Sequence, residues 1–190
     1  MRYTKLGVGL LLAIITCMAS YKLFAAESNS IKQIRNLYQD AKTKITEGKL
    51  LVTKVDYITN EKISEDIMEY FDFNGPICKL YWSFPDKKLI FAEVFKASSG
   101  MIRNEEYLFY PNGDLAFFYS KTTNAIDNKV TNEERYYYAN KNLIRYITDS
   151  KTIDSNFSSE IINLSKSKMD NSAVLKKAFT IATDLAIKLR

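Results

Sequence analysis

The chain has 190 residues, of which 46% are hydrophobic, 13% aromatic and 26% charged, a balance too apolar for a disordered segment and too polar for repeated membrane crossing. Its formal charge of +5 overstates any pull on a polyanion, because removing Arg2, Lys5 and Lys22, which precede residue 27, leaves 24 basic against 22 acidic side chains, a net of +2 without a basic run. Nucleic acid, whose affinity rests on many Lys and Arg contacts to phosphate, is therefore not an expected partner.

Met1 to Lys5 carries two positive charges, and Leu6 to Ala19 is an apolar run of 14 residues. That run is short of the roughly 20 residues a membrane span needs. Residues 1–26 read as a secretory signal peptide with small residues Ala19, Ala25 and Ala26 as cleavage points, Ala26 being preferred. Ile14-Ile15-Thr16-Cys17 is similar to a bacterial lipoprotein box, in which Cys17 would be acylated, although Thr16 stands where that box takes Gly, Ala or Ser. The expected location is thus outside the cytoplasm, periplasmic or secreted by a bacterium. The membrane is touched only through this leader, if it stays uncleaved or is acylated. Loss of the leader leaves Cys78 alone, so no disulfide forms within the mature chain, and Cys78 is expected as a small strand hydrophobe.

The remainder, 27–190, reads as one exported α+β domain: a helix over 27–48, a β-meander over 49–150 and a helical tail over 151–190. In the first helix Ile31, Ile34, Tyr38, Ala41 and Ile45 recur at helical spacing after Ser28-Asn29-Ser30, and Gly48 ends it. From Lys49 the pattern changes to aromatic and β-branched runs separated by turn residues. Asn74-Gly75 and Pro111-Asn112-Gly113 are hairpin turns, glycine taking the left-handed position in the second. After Thr152 comes a Ser-, Asn- and Lys-rich stretch with a helical turn at Ser159 to Leu164. A final helix capped by Asp170, Asn171 or Ser172 follows, with Val174, Leu175, Ala178, Phe179, Ala182, Leu185, Ala186 and Leu189 forming its apolar arc.

Three segments stack on one another: 81–95, 107–121 and 135–149, with Leu89, Leu115 and Leu143 coinciding at offsets of 26 and 28 residues. Each copy is an aromatic strand, a polar turn and a Leu-led strand, so the sheet is expected as a meander of about six to eight antiparallel strands built from repeated hairpins. The pieces Phe109-Tyr110-Pro111-Asn112-Gly113-Asp114-Leu115 and Tyr137-Tyr138-Ala139-Asn140-Lys141-Asn142-Leu143 resemble the YYPNGKL hairpins of bacterial MORN-variant repeat proteins, over about 45 residues. The third copy lacks the glycine, and the spacing is longer than that family's. The resemblance implies an interaction or structural module.

Side chains alternate across a sheet, and even offsets place equivalent residues of regular hairpins on one face. With three-residue turns, one face collects Leu80, Trp82, Phe84, Ile90, Ala92, Val94, Leu108, Tyr110, Ala116, Phe118, Tyr136, Tyr138, Ile144 and Tyr146. Both helices are expected to pack on this face. The other face collects Tyr81, Phe91, Glu93, Tyr107, Phe117, Tyr119, Arg135, Tyr137 and Arg145 together with Glu105 and Glu133, a composition of rings and both charge signs suited to holding a partner. The competing explanation is that aromatics simply favour strands.

There is no histidine and there are only six glycines, with no phosphate loop and no GxSxG elbow. Histidine-based triads, His metal sites, nucleotide enzymes and α/β hydrolases lose their main supports. No catalytic residue, metal or cofactor is expected. Carboxylate catalysis would need two acids, and the spacing of Glu93, Glu105 and Glu133 selects no pair. The expected function is a non-enzymatic binding module meeting a protein or glycan partner of the cell envelope. The alternatives are a carboxylate-dependent glycan hydrolase and a structural envelope lipoprotein.

Overall fold

The computed structural model describes residues 29–56, 77–84 and 86–188, with side chains described as far as residue 184. The expected signal peptide, Cys17 and the expected Asn74-Gly75 turn lie outside the described residues.

A helix α1 over residues 29–46 leads into an eight-stranded sheet: β1 (Leu51–Asp56), β2 (Ile77–Ser83), β3 (Lys88–Ser98), β4 (Met101–Phe109), β5 (Leu115–Asn124), β6 (Val130–Ala139), β7 (Asn142–Thr148) and β8 (Thr152–Ile153). Every neighbouring pair is antiparallel and strand order equals chain order, so the sheet is a pure meander, and α2 (Ser159–Lys188) follows it. This is the expected α+β arrangement of consecutive hairpins between two helices.

The turns explain how short connections reverse the chain. Ser99 and Gly100, and likewise Asn140 and Lys141, lie at positive φ between directly paired strand ends, as two-residue hairpin loops require. Gly113 takes φ +83°, and its N–H donates to the Tyr110 carbonyl at 2.8 Å, which closes the turn after Pro111.

Each repeated hairpin also carries one extra residue after its leucine. Tyr81 pairs with Phe91 but Trp82 with Leu89; Leu108 pairs with Phe117 but Phe109 with Leu115; Tyr137 pairs with Arg145 but Tyr138 with Leu143. Ile90, Ala116 and Ile144 are therefore equivalent β-bulges, each putting two successive side chains toward one face.

The helices lie on opposite faces. α2 covers a core of Leu80, Leu89, Ala92, Val94, Tyr107, Phe109, Leu115, Phe118, Tyr136, Tyr138 and Tyr146, into which it sends Leu175, Ala178, Phe179 and Ala182. On the other face α1 packs Ile31, Ile34 and Ala41 against Tyr81, Phe91, Leu108, Ala116, Phe117 and Tyr137. Placing both helices on one face is corrected by this pair of cores. A single row of six strands carries Tyr81, Phe91, Leu108, Phe117, Tyr137 and Arg145 side by side, and so much ring surface left in water would forgo several kcal/mol of burial, on the order of 2 kcal/mol per large side chain.

The bulges account for the misplaced faces. Ile90, Leu108, Tyr110, Ala116 and Ile144 lie on the α1 side, and Tyr107 lies under α2. Glu105 shares the α2 face with Tyr107, to which it is bonded. Phe84, expected in the core, is 67% exposed at a turn. The tail is one continuous helix of 30 residues. Its start is capped by Ser158, whose Oγ accepts from the Ile161 N–H at 3.3 Å. Ser172, expected as a cap, is buried mid-helix, and its hydroxyl donates to the Met169 carbonyl at 2.7 Å.

Candidate functional site

On the α1 side the sheet presents three rows of directly paired residues. The first, Tyr81, Phe91, Leu108, Phe117, Tyr137 and Arg145, lies at the turn end, and the helix covers its rings. The second is Lys79, Glu93, Glu106, Tyr119, Arg135 and Ile147. The third is Ile77, Phe95, Asn104, Lys121 and Glu133. At the usual strand separation, six strands give the second row a length of roughly 24 Å.

α1 supplies one wall of the space above these rows. Arg35, Tyr38, Gln39 and Lys42 recur at helical spacing, next to the buried stripe of Ile31, Ile34 and Ala41. Glu93 and Glu106 stand directly opposite each other on β3 and β4, a like-charge pairing that would destabilise the sheet by itself. Lys42 neutralises it: its Nζ lies 3.1 Å from Glu106 Oε1 and 3.5 Å from Glu93 Oε1. The second oxygen of each carboxylate accepts from a phenol, Tyr38 donating to Glu106 at 2.5 Å and Tyr81 to Glu93 at 2.8 Å. Burial and the bonded carboxylates push both phenols well above the usual tyrosine range, so they remain donors. This cluster ties α1 to the sheet.

Beyond the clamp lies a pocket of about 420 Å³ lined by Ile34, Arg35, Tyr38, Gln39, Phe117, Tyr119, Arg135 and Tyr137. The Arg135 guanidinium sits 5.4 Å from the Tyr119 ring centroid and pairs with Glu133. Burial raises the Tyr119 phenol. Arg35 is exposed and makes no ion pair among the described residues. Tyr137 is only 5% exposed, yet its hydroxyl has no hydrogen bond among the described residues. The pocket shares Tyr119 with a second hollow over Lys79, Glu93, Phe95, Asn104, Glu106 and Lys121, and Arg135 with a third near Thr148 to Thr152, so the three form one open trough beside the helix.

Of the residues singled out by sequence, Tyr81, Phe91, Phe117 and Tyr137 are buried beneath or beside α1. Tyr107 is fully buried on the opposite face. Arg145, at the end of the first row, donates from NH2 to Asp154 at 2.7 Å. Glu93, Tyr119 and Arg135 come together in the second row, with Tyr137 at the pocket wall. The helical contribution, Arg35, Tyr38, Gln39 and Lys42, was missed, as was Glu106. The polar edge of the first helix signals the former, and nothing in the strand pattern distinguishes Glu106 from Glu105.

A second polar cluster lies under the first half of α2. Glu105, 3% exposed, accepts from Lys96, Arg103 and the Tyr107 hydroxyl at 2.9, 2.8 and 2.9 Å. Glu134 accepts from Tyr136 and Tyr146 at 3.3 and 3.1 Å. Lys168, 8% exposed, places its ammonium 4.9 Å from the Phe118 ring centroid, and burial followed by the Arg103 charge lowers its pKa. This cluster is closed in by the helix and reads as structural.

Among the described residues, no group of three or more acidic or cysteine side chains is placed to hold a metal. No helix of the described residues is long and apolar enough to cross a membrane. No protein-family model matches the chain, and no curated protein and no solved structure matches it.

Proposed function

We propose that the chain is an exported, non-enzymatic binding module that receives a cell-envelope partner, protein or glycan, in the trough beside α1. The observation that carries this reading is the concave pocket where three tyrosines, a phenylalanine and two arginines converge on one half-open hollow. Such residues supply large contact area with few rotors to freeze. The resemblance to MORN-variant hairpins fits an interaction role, and the apolar leader with its cleavage points supports export. A photo-crosslinking residue at Gln39, in the pocket, is expected to trap one defined species in the native compartment, whereas the same residue at Ile181, exposed on α2, traps none. Identical products at both positions would remove the assignment.

The hydrolase reading draws on the Glu93–Glu106 pair. Both carboxylates are held by Lys42 and a phenol, contacts that favour their ionised forms and compete with service as a general acid. Release of reducing ends from a glycan, abolished by Glu106→Gln, would reverse the order of the two readings.

A further inference from the structure

We propose that the trough's ligand is a linear acidic glycan, one of whose sugar carboxylates is seated in the pocket between Arg35 and Arg135; this rests on the binding reading above and specifies its ligand class.

Charge decides the first step. Among the described residues no acidic side chain lines the pocket, while two guanidiniums do. Arg135 is partly neutralised by Glu133, but Arg35 is uncommitted among the described residues. A planar guanidinium with free N–H groups matches a carboxylate in bidentate geometry.

A second and independent observation is the Tyr137 hydroxyl. Tyr137 as a whole is 5% exposed and its hydroxyl makes no hydrogen bond among the described residues, so a group seated in the pocket can supply the partner that a polar atom in such surroundings calls for. The Tyr137 ring lines this same pocket beside Phe117, with ring centroids 4.8 Å apart, and Gln39 adds an amide at the wall. Guanidinium, phenol and amide groups set among aromatic rings can bond both a carboxylate and the hydroxyls of a sugar while its C–H surface rests on the rings.

The shape selects a chain over a small molecule. The pocket opens into a hollow on either side along the second row, so a ligand unit seated there can continue in both directions. An extended peptide gains most of its affinity by pairing its backbone with a free sheet edge. Here the floor is β3 to β6, whose neighbours pair on both sides, so strand addition has no edge there and recognition comes from side chains. Rings beside guanidinium, phenol and amide groups match the C–H faces and hydroxyls of a sugar, and poly-glutamate tests the peptide alternative.

The test uses the full exported chain and titration calorimetry with hexagalacturonate, its fully methyl-esterified form and poly-glutamate. Binding of the free acid is expected, with Arg35→Gln weakening it about 10- to 100-fold and Tyr137→Phe about 3- to 10-fold. Arg35→Lys, which retains charge without the fork, should fall between. Both positions tolerate these changes structurally, and unchanged melting verifies it. Equal affinity for the methyl ester, equal affinity for poly-glutamate, no binding of the acid, or indifference to Arg35→Gln each overturns the proposal. If the ester binds equally and Tyr119→Ala abolishes it, the acidic class fails and the trough stands. If a bound glycan is insensitive to Tyr119→Ala, the trough reading fails as well.

Discussion

Replacing Phe117 by alanine tests the two-faced arrangement most directly. Phe117 is 6% exposed, and its ring meets Tyr38 of α1 edge-on at 5.3 Å and Tyr137 of β6 at 4.8 Å. Truncating a buried phenylalanine costs about 3–5 kcal/mol through lost transfer energy and the cavity left behind. Two ring contacts, each worth about 0.5–1.5 kcal/mol beyond area, place it in the upper half of that range. At about 4 kcal/mol, the melting temperature of a chain this long should fall by about 8–16 °C. Tyr119→Ala, one row farther out and half-exposed, should cost about 1 kcal/mol. The assay is urea unfolding followed by far-ultraviolet circular dichroism and by the fluorescence of Trp82, the chain's one tryptophan. Trp82 sits on the other face, 5.8 Å from Phe179 of α2, so coincident transitions would show that both layers unfold as one unit. A loss below 1 kcal/mol for Phe117→Ala, matching Tyr119→Ala, would mean that α1 does not cover this row and would refute the arrangement.

Lys42→Met should destabilise by about 1–2 kcal/mol by leaving Glu93 opposite Glu106 without a cation, and the loss should shrink in 1 M salt, where repulsion between partly exposed charges is screened. For Glu105, burial alone would raise the carboxyl, but Lys96, Arg103 and the Tyr107 hydroxyl outweigh it and hold the group below its ordinary value. A carboxylate depressed in the folded state contributes stability that is complete above its unfolded value and drains as pH falls through the folded one, so Glu105→Gln should flatten the fall of the denaturation midpoint on the acid side of the ordinary glutamate range. Lys141→Gly should stabilise by about 0.5–1 kcal/mol by relieving a non-glycine residue at φ 63°, since the exposed pair with Asp114 at 3.7 Å contributes little. Cys78, fully buried and with its thiol pushed up to about 12 by burial, should stay unlabelled by a thiol reagent in the native protein and react fully in denaturant.

The hairpin repeat was legible because turn chemistry and strand composition are local. Pro111-Asn112-Gly113 and the three aligned leucines locate strands β2 to β7 without tertiary information. The faces were not fully legible, because parity is cumulative: one unrecognised extra residue exchanges the sides of everything beyond it. The bulges at Ile90, Ala116 and Ile144 have ordinary apolar side chains, with no glycine or proline to betray them. The loops differ as well. Ser83 pairs with Lys88 in the first hairpin, whereas Ala139 pairs with Asn142 in the third; in the second the three-residue turn is kept, and the Ala116 bulge sets Leu108 rather than Tyr107 opposite Phe117. The helix lost its first turns to Asp170, Asn171 and Ser172, which have cap-forming side chains but here continue a helix begun at Ser159. Half of the candidate site comes from α1, and which strands a helix crosses is a tertiary fact that no strand pattern encodes.

A single device recurs on both faces: a row of rings at the turn end sends hydroxyls to a row of carboxylates farther along. Under α2, Tyr107 reaches Glu105 and Tyr136 reaches Glu134, each two residues along its own strand. Under α1, Tyr81 reaches across to Glu93 while Tyr38 descends from the helix to Glu106. The difference lies in what covers the carboxylate row. α2 closes over its row, leaving the side chains of Glu105 and Glu134 3% and 13% exposed. α1 covers only the rings and clamps the near part of its row, where Glu93 retains 30% exposure. Among the described residues no helix covers the far part, Tyr119 and Arg135, and the Tyr137 hydroxyl has no hydrogen-bond partner there. Among the described residues the two rows have unequal cover, which sets the candidate site beside the shorter helix, while the closed cluster under α2 serves the fold.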